Sequence, residues 1–156
     1  MTLKELRKQK GLTQVECAAY LGVPTRTYQS YEADESKHTS IKYAYMLQKL
    51  EQYGFIDEEH GTLSLQKIKD VCREVCSAHD VLYCYLFGSY AKGSATQSSD
   101  VDLLVSTPVS GIRFYELTEA LRERLQKKVD VLDLAQLQDN PALVNEILKD
   151  GVKVYG

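Results

Sequence analysis

Glycine, serine and aspartate residues with informative spacing occupy the stretch from residue 88 to residue 130. Gly88-Ser89 follows an apolar run, Asp100 and Asp102 are separated by one residue, and Asp130 lies in a later apolar run. Glycine lets a backbone approach a phosphate closely, and the serine hydroxyl with the following amides can donate hydrogen bonds to its oxygens. Carboxylates are the ligands that Mg²⁺ prefers. This spacing predicts a site for metal ions and a nucleoside triphosphate.

The two alternating aspartates should lie side by side. On a strand, Asp100 and Asp102 point to the same face with Cα atoms about 6.6 Å apart. Two neighbouring carboxylates repel each other unless a cation lies between them. An exposed edge strand with solvated aspartates would explain an alternating pair equally well, so the pair needs the Gly-Ser turn beside it to indicate a site.

Asp130 is the candidate for a third carboxylate. Its neighbours Val129 and Val131 predict a buried strand, where an acid requires a partner, and a metal ion would supply one. Asp133 is the competing candidate, but it lies an odd number of residues away and should face the other side of the strand.

Lys92 is a candidate phosphate ligand, although a solvated surface lysine explains it as well. The glycine spacing of a P-loop is present from Gly88 to Gly93, but Ser94-Ala95 stands where that loop requires Lys-Ser/Thr. We therefore exclude a P-loop.

The elements around these residues are predicted to form an α/β or α+β unit. A helix over 64–79 is followed by strands at 81–87, 101–106, 129–134 and 152–155, with helices over 112–127 and from Pro141 to Gly151. Four helices precede them, over 2–10, 14–21, 25–31 and 41–53, and the last has Ala44, Leu47 and Leu50 marking its period. The expected domains are 1–54, a linker at 55–63, and 64–156.

Charge is divided unevenly between these halves. Residues 1–53 carry eight Lys/Arg and six Asp/Glu, a net charge of +2, whereas residues 54–156 carry a net charge of −5. The overall balance does not indicate nucleic-acid binding, so that function must rest on a motif. The four cysteines lack metal-site spacing, and no long apolar run is present, so we expect buried free thiols in a cytoplasmic protein.

The catalytic half resembles the minimal nucleotidyltransferase branch of the polymerase-β superfamily, on the motifs GSYAKG and SDVDLLV and on Asp130 between valines. The resemblance implies a small mixed sheet with flanking helices. It also implies ATP as substrate and two Mg²⁺ ions bridging Asp100, Asp102, Asp130 and the triphosphate. Asp130 would accept the proton of the acceptor hydroxyl, while Gly88, Ser89 and Lys92 would bind the nucleotide. Arginine is more usual than lysine at position 92.

The segment LRKQKGLTQVECAAYLGVPTRTYQSYE resembles Xre/Cro-like helix-turn-helix domains. Cys17, Leu21, Val23, Tyr28 and Tyr31 can form its inner face. The outer face and the start of the second helix would then present the DNA-binding residues Gln14, Thr25, Arg26, Gln29 and Ser30. A module that packs on the second half without touching DNA is the alternative.

Minimal nucleotidyltransferases often act as antitoxins that transfer AMP to a tyrosine of a HEPN toxin, and some are fused to Xre-like domains. The resemblance therefore implies an antitoxin that also represses its operon through operator DNA, as a homodimer or a hetero-oligomer with the toxin. A nucleotide-responsive regulator without catalysis and a nucleotidyltransferase acting on small molecules such as aminoglycosides remain as alternatives.

Overall fold

The computed structural model describes all residues from 1 to 156, and they separate into two compact units, Met1–Phe55 and Ile56–Gly156. Residues 56–63, part of the expected linker, are grouped with the second unit, and Leu63 in this segment is buried. The division into domains proposed from the sequence stays a prediction. No helix of the protein is both long enough and apolar enough to cross a bilayer.

The first unit contains four α-helices, α1 (Leu3–Gln9), α2 (Gln14–Leu21), α3 (Thr25–Ala33) and α4 (Ile41–Glu51), and a short 3₁₀ helix at Glu35–Lys37. Thr2 and Thr13 begin α1 and α2 with reciprocal capping boxes to Glu5 and Glu16. Pro24 precedes α3 and offers no side-chain cap, yet the helix forms.

The first unit encloses a core of nine buried residues, and α4 supplies three of them: Tyr43, Met46 and Leu50. The sequence predicted that Ala44 is one of the residues that mark the period of α4. This prediction is wrong, because Ala44 is exposed and the inward face begins one residue earlier. Tyr43 takes that place since its hydroxyl accepts a hydrogen bond from the Leu3 amide at 3.0 Å and its ring stacks on His38.

The second unit is a four-stranded mixed sheet with helices on both faces. Its elements are α5 (Leu65–Ala78), β1 (Tyr83–Phe87), α6 (Gly88–Lys92), β2 (Val101–Ser106), α7 (Ile112–Leu125), β3 (Val129–Asp133), α8 (Pro141–Asp150) and β4 (Val152–Tyr155). The strand order is β3-β2-β1-β4; β1 runs antiparallel to β2 and β4, and β2 runs parallel to β3.

Alternation along the strands separates two faces of the sheet. Val101, Leu103 and Val105 of β2 join the main core beneath α5 and α7. Leu104 of the same strand joins a smaller cluster with Phe87, Leu137 and Ile147 on the other face. Asp102 alternates with the core residues and therefore lies on that second face.

The four cysteines are free and buried, as the sequence predicted. Three of them, Cys72, Cys76 and Cys84, lie in the main core of the second unit, and Cys17 lies in the core of the first. All four fill space as small apolar side chains.

Candidate active site

The aspartates predicted from the sequence come together where β2 and β3 begin. In the parallel pairing of these strands, Asp102 stands directly opposite Asp130. Asp100 lies one residue before β2, and Asp133 is paired with Val105 at the other end of the ladder. The geometry thus joins Asp102 to Asp130 and leaves Asp133 three ladder positions away.

The Gly88-Ser89 turn lies against Asp102. Phe87 at the end of β1 is opposite Asp102 in the ladder, and Gly88 then begins the short helix α6 with φ +71°. A Cβ atom on Gly88 would lie 2.2 Å from the Asp102 Oδ2 atom. Glycine is therefore required here both by its backbone angle and by the close approach of the carboxylate.

Ser89 is half-buried in α6, and its carbonyl accepts hydrogen bonds from the amides that follow the helix, including that of Ser94 at 3.0 Å. The Ser89 hydroxyl itself makes no hydrogen bond. An unpaired hydroxyl in this turn can donate a hydrogen bond to the oxygen of an arriving phosphate group.

Electrostatics set Asp102 apart from the other carboxylates. Burial is the main cause, and the negative charges of Asp130, Asp100 and Glu146 add to it, so the pKa of Asp102 is raised to about 6. Each of these causes disfavours the ionised carboxylate, as does a hydrogen bond between Asp102 and Asp130. A bound cation would favour the ionised form, which makes the cluster a candidate cation site.

Glu146 on α8 is a residue at this site that the sequence did not reveal. Its carboxylate accepts a hydrogen bond from the Lys92 ammonium at 2.9 Å, and its charge reaches Asp102. The ion pair raises the pKa of Lys92 and holds this lysine beside the Gly-Ser turn. The pair links α6 to α8, whose packing on the sheet could not be deduced from sequence spacing.

The carboxylates do not form a ready-made metal cage. No group of three or more His, Cys, Asp or Glu side chains converges closely enough to hold a metal ion by itself. Mg²⁺ in phosphoryl-transfer sites is commonly held by one or two carboxylates together with substrate phosphates and water. The opposed pair Asp102 and Asp130, with Asp100 adjacent, fits that mode of binding.

The five residues predicted to contact DNA lie on the first unit. Arg26 and Gln29 of α3 are exposed, whereas Thr25 is half-buried. Ser30 is also half-buried, and its hydroxyl accepts a hydrogen bond from Lys37. The Gln29 amide donates to the Gln14 side chain at 3.2 Å, so residues from α2 and α3 share one surface.

Behind this surface lies a hydrogen-bonded ion pair. Arg7 donates to both carboxylate oxygens of Glu32, at 3.0 and 2.8 Å, and Gln14 donates to the same carboxylate at 3.3 Å. Arg7 and Glu32 side chains are only 14% and 4% exposed. Side-chain interactions therefore connect the inside of the first unit to Gln14 and, through it, to Gln29.

Comparison with known proteins agrees with this geometry. Residues 66–156, more than half of the chain, match the family model described as polymerase beta, nucleotidyltransferase. The chain belongs to the polymerase beta nucleotidyltransferase family. Residues 3–51 of this nucleotidyltransferase match a helix-turn-helix family model. Both matched spans carry the motifs from which the resemblance was inferred.

Individual relatives cover the catalytic half of the nucleotidyltransferase. The protein MJ0126 of Methanocaldococcus jannaschii, provisionally named a protein adenylyltransferase, is 31% identical over 93 residues, which are 56% of this chain and 94% of the relative. The protein adenylyltransferase MntA of Shewanella oneidensis is 31% identical over 74 residues, 46% of this chain and 52% of MntA.

A solved structure provisionally described as a minimal nucleotidyltransferase has a TM-score of 0.50 and 26% sequence identity to this chain. The similarity covers 59% of this chain and 97% of the other. The small sheet with its flanking helices is therefore a minimal form of the family fold, preceded here by a helix-turn-helix unit.

Proposed function

We propose that this nucleotidyltransferase transfers AMP from ATP to a tyrosine of a HEPN-type toxin and represses its own operon, which makes it an antitoxin. The observation that carries the proposal is the register of β2 and β3, which sets Asp102 opposite Asp130 beside the Gly88 turn. The raised pKa of Asp102 supports the proposal, because a bound cation would stabilise the ionised form of this crowded carboxylate.

The reaction proposed for this site is an in-line displacement at the α-phosphorus of ATP. The tyrosine oxygen forms a new bond to that phosphorus, the bond to the bridging oxygen breaks, and pyrophosphate leaves. Asp130 is exposed at the mouth of the site and accepts the phenolic proton. Gly88 gives the triphosphate access to the backbone, and the Ser89 hydroxyl donates a hydrogen bond to a phosphate oxygen.

Two Mg²⁺ ions would be held by Asp100, Asp102 and Asp130 together with the phosphates. When bound, they would stabilise the charge that develops on the entering and leaving oxygens. Lys92 already lies beside the turn and is held there by Glu146. We propose that it exchanges part of that contact for a phosphate oxygen when ATP binds.

Support for a protein acceptor comes from the relatives and from the size of the unit. MntA and MJ0126 are both named for protein adenylyltransferase activity, the second provisionally. The catalytic unit spans only residues 56–156, and its helices are used to cover the sheet. An acceptor that brings its own folded surface suits such a unit better than a small molecule that needs an enclosing pocket.

Support for operator binding comes from the helix-turn-helix match and from the exposed face of α3. We propose that Arg26 and Gln29 reach base edges, with Gln14, Thr25 and Ser30 placing the helix against the phosphate backbone. Arg26 is exposed and makes no ion pair within the protein, so its guanidinium is free to contact a guanine.

Transfer of label from α-labelled ATP tests the enzymatic part. The protein is incubated with Mg²⁺ and the product of the neighbouring gene, as wild type, as Asp130→Asn and as Asp133→Asn. We expect label on a tyrosine of the neighbour with the wild type and with Asp133→Asn, and none with Asp130→Asn. Saturable ATP binding without label on any protein would instead support a nucleotide-responsive regulator or a small-molecule acceptor.

Binding to DNA from upstream of its own gene tests the repressor part. Arg26→Ala should weaken specific binding by about 1–3 kcal/mol, the usual contribution of a bidentate base contact. Arg73→Ala removes the same charge from an exposed position of the second unit and should leave binding unchanged. Equal affinity of the wild type for operator and unrelated DNA at physiological salt would refute operator recognition.

A further inference from the structure

Lys127 is the only charged residue of the chain that is completely buried. Its ammonium donates hydrogen bonds to three backbone carbonyl oxygens, those of His60 at 3.2 Å, Gly61 at 2.7 Å and Gln97 at 2.6 Å. A protonated lysine has three N–H donors, so the three carbonyls match its full capacity. Burial lowers the pKa of Lys127, and the charges of Asp57 and Glu59 counteract this effect.

The three carbonyls belong to two segments that are far apart in sequence. His60 and Gly61 lie in the segment before α5, whereas Gln97 lies in the loop from residue 93 to residue 100 that ends in Asp100. The Gln97 side chain reinforces the connection, since it accepts a hydrogen bond from the Gly61 amide at 3.2 Å. Lys127 therefore ties the loop that carries Asp100 to the segment around Gly61.

Lys127 also lies two residues before β3, the strand that carries Asp130. The Val101 amide donates to the carbonyl of Lys128 at 2.9 Å, so the residue after Lys127 fixes the beginning of β2. From this point Asp100 lies one residue before Val101, and Asp130 lies two residues after Lys128. The backbones that present Asp100 and Asp130 are thus joined by a hydrogen bond next to Lys127.

We propose that Lys127 is a positioning residue for nucleotidyl transfer, which holds the loop from residue 93 to residue 100 so that Asp100 stays close to Asp102 and Asp130. The inference rests on the proposed function, because it assigns Asp100 to the metal-binding set.

A clamp is needed at this place because the aspartates repel one another. Asp102 stands opposite Asp130 in the β2–β3 ladder and Asp100 lies one residue before β2, so their like charges oppose the arrangement that a metal ion requires. The loop from residue 93 to residue 100 contains no helix or strand, and its internal hydrogen bonds are limited to a turn between Thr96 and Ser99. Without the hydrogen bond from Lys127 to the Gln97 carbonyl, repulsion would move Asp100 away from Asp102 and Asp130.

Binding of Mn²⁺ in place of Mg²⁺ tests the proposal without relying on turnover. Free Mn²⁺ is measured by electron paramagnetic resonance in the presence of a non-hydrolysable ATP analogue, for the full chain as wild type and as Lys127→Met. Loss of a residue that supports metal ligands typically weakens metal affinity or activity by roughly 10- to 100-fold, and we expect a loss in this range. Amide exchange of residues 94–100 should accelerate in the same variant.

Arg122→Gln is the matched control. Arg122 binds the same segment from the surface of α7, through Glu58 at 2.6 Å, but it does not touch the loop that carries Asp100. This variant should keep wild-type Mn²⁺ affinity and wild-type exchange at residues 94–100. If Arg122→Gln lowered Mn²⁺ affinity and accelerated exchange at residues 94–100 as much as Lys127→Met does, general loosening of the segment before α5 would explain both results. That outcome would overturn the proposal.

Lys127→Met leaves three carbonyls without a donor and can fail to fold, so Gln97→Gly is the second variant. Gln97 is exposed, and its replacement keeps Lys127 while it frees the loop and removes the contact with Gly61. We expect Mn²⁺ affinity to fall in this variant too, by a smaller factor. Folded variants with wild-type Mn²⁺ affinity would refute the inference, whereas a wild type that binds no Mn²⁺ with the nucleotide would refute the metal site of the proposed function.

Discussion

The two units of the chain treat buried acidic groups in opposite ways. In the first unit, Glu32 is enclosed by Arg7 and Gln14. Burial acts to raise the pKa of Glu32, but the hydrogen bonds to this carboxylate together with the charge of Arg7 lower it. In the second unit, Asp102 is partly buried among other carboxylates, and its pKa is raised to about 6. One carboxylate is satisfied by the protein, and the other is not.

We infer that this difference distinguishes a carboxylate that stabilises the fold, Glu32, from one that we propose to bind a metal ion, Asp102. A satisfied internal ion pair contributes to the specificity of the fold and leaves no capacity for a ligand. A cluster of like charges costs stability, and proteins keep such clusters mainly where a ligand compensates for them. The contrast therefore predicts opposite responses when a charge is removed from each unit.

The largest effect is expected for Arg7→Met. Arg7 and Glu32 are mostly buried, so loss of the guanidinium leaves an uncompensated carboxylate, at a cost of about 3–5 kcal/mol. The first unit should unfold at a lower denaturant concentration than in the wild type, as measured by amide exchange of residues 1–55. The control is Arg113→Met, which breaks the ion pair with Asp80, where both side chains are 69% exposed, and should change stability by less than about 1 kcal/mol. Similar losses of stability in Arg7→Met and Arg113→Met would show that the buried ion pair contributes no more to the fold than the exposed one.

Asp102→Asn should lower activity but increase stability, the reverse of a substitution in a structural ion pair. We expect nucleotidyl transfer to fall by roughly 10²–10³-fold, the loss typical of removing one preorganised electrostatic group. In EDTA the same substitution should raise the thermal midpoint of the second unit, because it removes a charge that repels Asp100 and Asp130. Asp133→Asn, further along the β2–β3 ladder, is the control for both measurements. A lower midpoint for Asp102→Asn in EDTA would show that Asp102 is a structural group like Glu32.

Much of this architecture could be predicted from the sequence, because the decisive signals are local. Alternation predicted that Asp100 and Asp102 share one face of a strand, and the odd separation of Asp133 from Asp130 distinguished these two residues. Thr2 and Thr13, which cap the first two helices, are likewise local signals of where these helices begin. These predictions required no knowledge of which elements pack together.

The residues that could not be predicted act over long distances in sequence. Glu146 reaches Lys92 across 54 positions, and Lys127 binds carbonyls 30 and more positions away. Lys127 is buried although the lysine that follows it, Lys128, is exposed, and nothing in their sequence distinguishes the two. Arg7 and Glu32 are 25 positions apart in the sequence, so their pairing could not be predicted for the same reason. Ala44 was assigned wrongly because the pattern of apolar residues gives the period of a helix more reliably than it gives the residue at which the inward face begins.

Gly88→Ala is expected to have an intermediate effect and isolates the contact between the turn and Asp102. Gly88 and Gly93 both have positive φ, +71° and +75°, so alanine should strain either backbone by about 1–3 kcal/mol. Only at Gly88 would the new Cβ meet the Asp102 carboxylate, since nothing lies within 4 Å at Gly93. Transfer should therefore fall further in Gly88→Ala than in Gly93→Ala, measured as kcat/KM for ATP. Equal losses would mean that backbone strain alone accounts for the effect.

The smallest expected effect is a pH dependence of opposite sign in the two units. The lowered pKa of Glu32 stabilises the first unit above the unfolded pKa near 4.5, and this stability is lost as the pH falls through the folded value. The pKa of Asp102 is raised from 3.8 to about 6, so the second unit, without divalent cations, loses stability as the pH rises between these values.

We expect changes in stability of the order of 1 kcal/mol after solvent screening, read by amide exchange separately for residues 1–55 and 56–156. Glu32→Gln should flatten the first dependence and Asp102→Asn the second. Curves of the same sign in both units would mean that the two carboxylates are compensated alike, and the comparison would then no longer distinguish structure from function.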